Sequence, residues 1–137
     1  MAKQYPADQD IIFLVCDTIR KEPNNKLSLL GLFLGNEIIV EVDAPVTLSP
    51  FALLFHLSDG YGEFKTKIQV LKENGDQVLE VKIGDTTKKN DAGSTIGLSI
   101  QSLKFDEFGS YTFRLILDDH EYDRQILIRK GQLQTFS

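Results

Sequence analysis

Ile96-Gly97-Leu98-Ser99-Ile100-Gln101-Ser102-Leu103-Lys104-Phe105-Asp106-Glu107-Phe108-Gly109-Ser110-Tyr111-Thr112-Phe113-Arg114-Leu115-Ile116-Leu117 is the stretch that decides how this chain folds. Ile96, Leu98 and Ile100 alternate with Gly97, Ser99 and Gln101, the period of a strand with one buried face. Asp106, Glu107 and Gly109 then supply turn chemistry. Tyr111, Phe113, Leu115 and Leu117 recur at every second position, with Thr112 and Arg114 between them. One half-buried strand therefore turns a corner into another.

The spacing of Leu98, Ile100, Leu103, Glu107, Gly109, Tyr111 and Phe113 resembles the E-to-F connection of immunoglobulin-like domains, with its tyrosine corner. The resemblance implies that the Tyr111 ring packs at a sandwich end and that its hydroxyl bonds to backbone upstream. Glu107 stands where that family usually has Asp, and Phe113 where antibody-type domains have their second disulfide Cys. The expected fold is an all-β, immunoglobulin-like antiparallel β-sandwich of about 7–9 strands with no disulfide. A generic antiparallel corner in another β fold is the alternative.

The chain has 137 residues, 42% of them hydrophobic and 26% charged, which suits one domain with an adequate core. The domain is expected over residues 10–130, with a polar, mobile arm over 1–9 and a short tail over 131–137 that frays or adds to an edge. Net charge is −5, with the acidic residues scattered. This disfavours nucleic acid, which needs a clustered basic face, and anionic membrane surfaces. Cys16 is the only cysteine, so no intrachain disulfide is possible. The N-terminus has no apolar leader and no run reaches transmembrane length. The expected location is cytoplasmic, barring export by a route without a cleaved signal.

Ile11 to Cys16 is a continuous apolar run that reads as a strand covered on both faces. Glu22-Pro23-Asn24-Asn25-Lys26 is a turn. Leu27 to Leu34 reads as a second strand, with Gly31 a bulge or a close backbone approach. Cys16-Asp17, with Lys26-Leu27-Ser28-Leu29-Leu30-Gly31-Leu32-Phe33 further on, resembles the start of an uncharacterised family of small bacterial β-sandwich proteins, with Asn25 in place of its first Gly. That resemblance implies a fold and a bacterial source, and brings no catalytic residues.

Residues 36–42 read as a strand or an irregular edge, and Pro45 and Pro50 then break any regular structure. Phe51 to Leu57 is another apolar strand, with His56 inside it. Asn74-Gly75 is the strongest hairpin signal. A two-residue type I′ loop there sets Val70 against Leu79, Ile68 against Val81, Thr66 against Ile83, and Leu71 against Val78. Residues 84–93 read as a mobile surface loop. A tight turn at Asp118-Asp119-His120-Glu121 sets Leu117 against Tyr122, Phe113 against Ile126 and Tyr111 against Ile128. Arg124 then falls opposite Leu115 on the apolar face, which implies a bulge or a strand end open to water.

No chemistry-bearing motif emerges. The two histidines, His56 and His120, stand 64 positions apart, one cysteine cannot make a multi-thiolate zinc site, and no phosphate-cradling or nucleophile-elbow pattern is present. No catalytic residue, cofactor or metal is assigned. The expected function is a non-enzymatic protein-interaction or scaffold module of unknown partner. Its candidate contact residues are Asp59 and Tyr61 in one turn, and Lys88, Lys89, Asn90 and Asp91 in the polar loop. One alternative is a homo-oligomeric component assembling through a sheet edge or through Ile38-Ile39-Val40. Another is a small metal-dependent hydrolase using His56 or His120 with nearby carboxylates.

Overall fold

The computed structural model describes residues 2–132. Twelve strands and one short 3-10 turn (Asp8–Asp10) make up its regular structure, with no α-helix among the described residues. The strands are β1 (Ile11–Cys16), β2 (Thr18–Glu22), β3 (Lys26–Leu30), β4 (Glu37–Val40), β5 (Val46–Leu48), β6 (Phe51–Leu57), β7 (Gly62–Lys72), β8 (Gln77–Lys88), β9 (Ser94–Ile100), β10 (Leu103–Phe105), β11 (Gly109–Leu117) and β12 (His120–Lys130). The all-β expectation holds, and the strand count exceeds seven to nine. The additional strands, β2, β5 and β10, are too short for an alternation to show in sequence.

Five strands form one sheet in the order β4-β12-β11-β7-β8, and three form another in the order β1-β6-β9. Their inward faces share one core. Phe51, Phe55, Phe64, Ile68, Phe113 and Leu115 are all fully buried within it. The Phe113 ring lies 5.6 Å from that of Phe13 and 6.1 Å from that of Phe51, so it touches both strands β1 and β6 across the interlayer space. β6 is buried on its other face too, through Ala52 and Leu54, where β2 of the β2–β3 hairpin lies against it. The strand expected to be covered on both faces was β1, but β1 ends its sheet and leaves Ile12 52% exposed. The region 36–42 contains β4, which pairs in parallel with β12 and buries Ile38 in the core.

The turns decide the registers. At Asn74-Gly75 the Gly75 N–H donates to the Lys72 carbonyl at 2.9 Å, and the Lys72 N–H donates to that of Asp76 at 2.8 Å. Only Gly75 there has a left-handed φ, +92°. A type I′ loop needs positive φ at both central residues, so the loop is longer than the two residues expected. Val70 still faces Leu79 and Ile68 faces Val81, but Leu71 faces Gln77 and Thr66 faces Gly84, with irregularities at Val78 and Ile83. At the β11–β12 turn the loop is only Asp118-Asp119, with Asp118 at φ 59°. This closes the hairpin two residues earlier than expected. Leu117 faces His120, Leu115 faces Tyr122, Phe113 faces Arg124 and Tyr111 faces Ile126. A two-residue shift preserves the faces, so the same side chains still point inward.

The tyrosine corner is present. The Tyr111 hydroxyl donates to the Glu107 carbonyl at 2.5 Å, and its ring meets Phe105 edge-on at 4.7 Å. Residues 133–137 of the expected tail lie outside the described residues. Tyr111→Phe keeps the ring and deletes one hydrogen bond, so it should cost about 1 kcal/mol, roughly 3–4 °C in Tm, in chemical and thermal unfolding. Phe113→Ala should cost about 3–5 kcal/mol, because it empties the contact between the layers.

Candidate functional site

Of the residues expected to meet a partner, three converge on a structural clamp. β8 carries Ile83 as an extra residue opposite β7, and this bulge changes which side chains point inward. Beyond it, Thr86 and Lys88 face in, and Lys88 is 2% exposed. The Lys88 ammonium donates to the carbonyls of Gly60 at 3.0 Å and Lys89 at 2.6 Å. Lys88 is therefore not on a mobile loop: β8 runs to that residue, and the connection to β9 is only residues 89–93. Lys89, Asn90 and Asp91 are exposed on it. Asp59 and Tyr61 are each held by the N-terminal segment. The Ala7 N–H donates to Asp59 Oδ2 at 3.2 Å, and Gln4 and Tyr61 exchange two backbone hydrogen bonds of 2.9 Å. Gly60 sits at φ +80° under the Gln4 carbonyl, where a Cβ would collide with backbone.

Residues 2–9, expected as a mobile arm, are thus docked across one end of the larger sheet. Asp118 gathers the arm. Its carboxylate accepts from Lys3 Nζ at 2.8 Å, the Tyr5 hydroxyl at 2.6 Å and the Lys65 N–H at 2.9 Å. These donors, Lys3 foremost, hold Asp118 well below the usual carboxylate range. The same carboxylate pushes the Tyr5 hydroxyl up to about 12. The Tyr5 ring stacks on His120 with centroids 3.5 Å apart, and Tyr122 donates to the Pro6 carbonyl at 2.8 Å. Arg124, the awkward residue of the apolar face, reaches Asp8 Oδ1 at 2.9 Å, the Asp8 carbonyl at 2.7 Å and the Ile11 carbonyl at 3.1 Å. The arm explains it without a bulge.

His120 also bonds Asp119 at 3.2 Å, and His56 Nδ1 lies 2.8 Å from Thr95 Oγ1. Each histidine is engaged in local packing. Among the described residues no three His, Cys, Asp or Glu side chains come together as a metal-ligand group. Cys16 is buried and free, and burial pushes its thiol up.

The most distinctive concave surface lies elsewhere, between β8 and β9. It is a groove of about 560 Å³ floored by Leu54, with Ile19 and Leu27 of the β2–β3 hairpin and Ile83 of β8 around it. Thr86, Thr87, Ser94, Thr95 and Ser99 add hydroxyls, and Lys21 and Asp85 add one charge of each sign. β8 and β9 each end a sheet, so both border the groove with a strand edge that has no ladder partner among the described residues. Gly97 sits at its centre; a Cβ there would meet only Ile19 Cδ1, at 3.7 Å. Sequence reading missed the groove because its walls come from three separate hairpins or connections. The one local signal was the uncharged alternation of Ser94 to Ile100.

Residues 11–128 match a family described as Family of unknown function (DUF6941). The chain belongs to that family. The DUF6941 match opens at the first residue of β1 and closes within β12, so it takes in the whole groove and leaves the docked arm outside. No curated protein matches the chain. Among the described residues no helix is long and apolar enough to cross a membrane.

Asp118→Asn should lower stability by about 2 kcal/mol at neutral pH, because charge-assisted hydrogen bonds are lost. The pKa of Asp118 is depressed in the folded state, so its contribution is present above the unfolded value and is lost as pH falls through the folded one. The gap between wild type and variant in urea unfolding should therefore narrow below roughly pH 4.

Proposed function

We propose that this domain is a non-enzymatic protein-interaction module that holds an extended segment of a partner protein along β9, in the groove beside β8. One observation carries the reading. The free edge of β9 is uncharged, without proline and regular in its pairing with β6 from Phe51–Ile100 to Leu57–Ser94. Sheet edges left open are usually blunted by lysine, proline or a bulge, because they template strand addition. An unblunted edge over an aliphatic floor suits added-strand binding, in which backbone bonds give affinity and side-chain pockets give selectivity. The lining favours a segment alternating aliphatic and hydroxyl or amide side chains. Lys89, Asn90 and Asp91, at one end of β9, would flank it.

In the same reading the fold is an immunoglobulin-like sandwich, supported by the tyrosine corner at Tyr111 and by the two sheets that share a core. A bacterial source is supported by the pattern from Cys16-Asp17 to Phe33. The free, buried thiol of Cys16 supports a reducing, cytoplasmic compartment.

Peptides selected from a random display library against the whole chain should shift the backbone amides of residues 83–87 and 94–99 in two-dimensional NMR. Gly97→Arg has room at Cβ, so Tm should stay within about 2 °C while affinity falls about tenfold or more. Selected peptides that map to another face, or that bind Gly97→Arg as well as wild type, would overturn the assignment.

A further inference from the structure

We propose that the outer edge of β8 pairs antiparallel with the same edge of a second copy of this chain, about a two-fold axis at Val81. β8 ends the five-stranded sheet, and from Leu79 to Ile83 its outer side has no backbone partner among the described residues. Leu79, Val81 and Ile83 are half-buried at that edge, while Glu80 and Lys82 are exposed on the outer face.

The register is set by faces and charges. Pairing that keeps the outer faces of both copies on one side requires the paired residue numbers to sum to an even value, because a one-residue slip flips every side chain. Centring on Glu80 sets Glu80 against Glu80, and centring on Lys82 sets Lys82 against Lys82; both place like charges directly opposite. Centring on Val81 sets Glu80 against the second copy's Lys82, twice by symmetry, and Leu79 beside its Ile83. An isologous contact needs a self-complementary patch, and this is one.

The isolated chain leaves this charge pattern incomplete. Lys82 faces Lys67 of β7 directly across the ladder, and it is Lys67 that pairs with Glu80, at 3.6 Å. Glu80 is oriented further by Gln69 Nε2 at 2.7 Å. The second copy's Glu80 would set a carboxylate directly opposite Lys82. The irregularities at Val78 and Ile83 bound the pairable run at both ends, which makes the contact short and reversible. The proposal does not rest on what occupies the β9 groove, although Ile83 belongs to both surfaces.

Sedimentation velocity over a concentration series tests it, with four samples beside wild type. Wild type should pass from monomer to dimer as concentration rises. Glu80→Lys and Lys82→Glu, each confirmed as folded by circular dichroism, should each dimerise about tenfold more weakly or less, since each places like charges opposite. Their equimolar mixture should recover dimer, because lysines at 80 and 82 then face glutamates at 82 and 80. Gly97→Arg should dimerise as wild type does, which separates this contact from the groove. A monomer at every concentration, or a dimer insensitive to both charge changes, would overturn the proposal. So would two folded variants that do not recover dimer on mixing.

Discussion

Phe113 meets Phe13 and Phe51 across the space between the two sheets, and the remaining structure depends on that contact. With a single cysteine in the chain, no disulfide joins the layers, which are held chiefly by burial. β6 makes this possible and sets its terms. It presents Phe51, Leu53, Phe55 and Leu57 to the core and buries Ala52 and Leu54 on its other face, so it needs a cover on each side. The larger sheet supplies one cover and the β2–β3 hairpin supplies the other. That hairpin reaches across β6 as far as β9, where Ile19 comes beside Gly97, and goes no further. The groove is the space left where the second cover stops short of β8.

The ends of the layers pose a different problem, because backbone and side-chain polar groups must be satisfied where the sheets run out. Two charged residues do this. Asp118, at a hairpin tip, collects Lys3, Tyr5 and the Lys65 N–H, and so draws the arm over the end of β7. Lys88, turned inward by the bulge at Ile83, ties the start of the β8–β9 connection to Gly60. The arm and the connection are thereby linked through a single turn, Asp59 to Tyr61. Both devices place a long side chain's stem against apolar surface and its charge on carbonyls or a carboxylate at the rim. Arg124 obeys the same rule on β12.

What could be read in the sequence tracks what is local in the physics. β7 and β11 showed their period of two because each has one buried face and one wet one. The tyrosine corner was legible because its spacing is set within a few residues. The register failed throughout the β11–β12 hairpin and in part at the β7–β8 hairpin, where Val70–Leu79 and Ile68–Val81 held, because loop length depends on backbone angles that Asn74-Gly75 and Asp118-Asp119 do not specify by residue type alone. Lys88 was expected on a surface loop and lies inside, because one extra residue in β8 reverses inside and outside, and polarity gives no sign of it. The arm was misread because its partners, Asp118, Tyr122 and Arg124, lie more than a hundred residues away. The groove, lined from β2, β3, β6, β8 and β9, had only the uncharged alternation of Ser94 to Ile100 as a contiguous signature.

The two open edges beside that groove differ in kind. Ser94 to Ile100 is uncharged and even, so nothing in it distinguishes one extended chain from another except the pockets it overlooks. Leu79 to Ile83 carries Glu80 and Lys82 two positions apart, between irregularities that shorten it. A charge pair at that spacing does little within a strand, since the two side chains point the same way and remain solvated. It acquires meaning only when an antiparallel strand reverses it, because the reversed order of Glu-Val-Lys is its own electrostatic complement. Bulges and lysines guard an edge against indiscriminate pairing. Here the same features leave one register open, to a strand with this sequence.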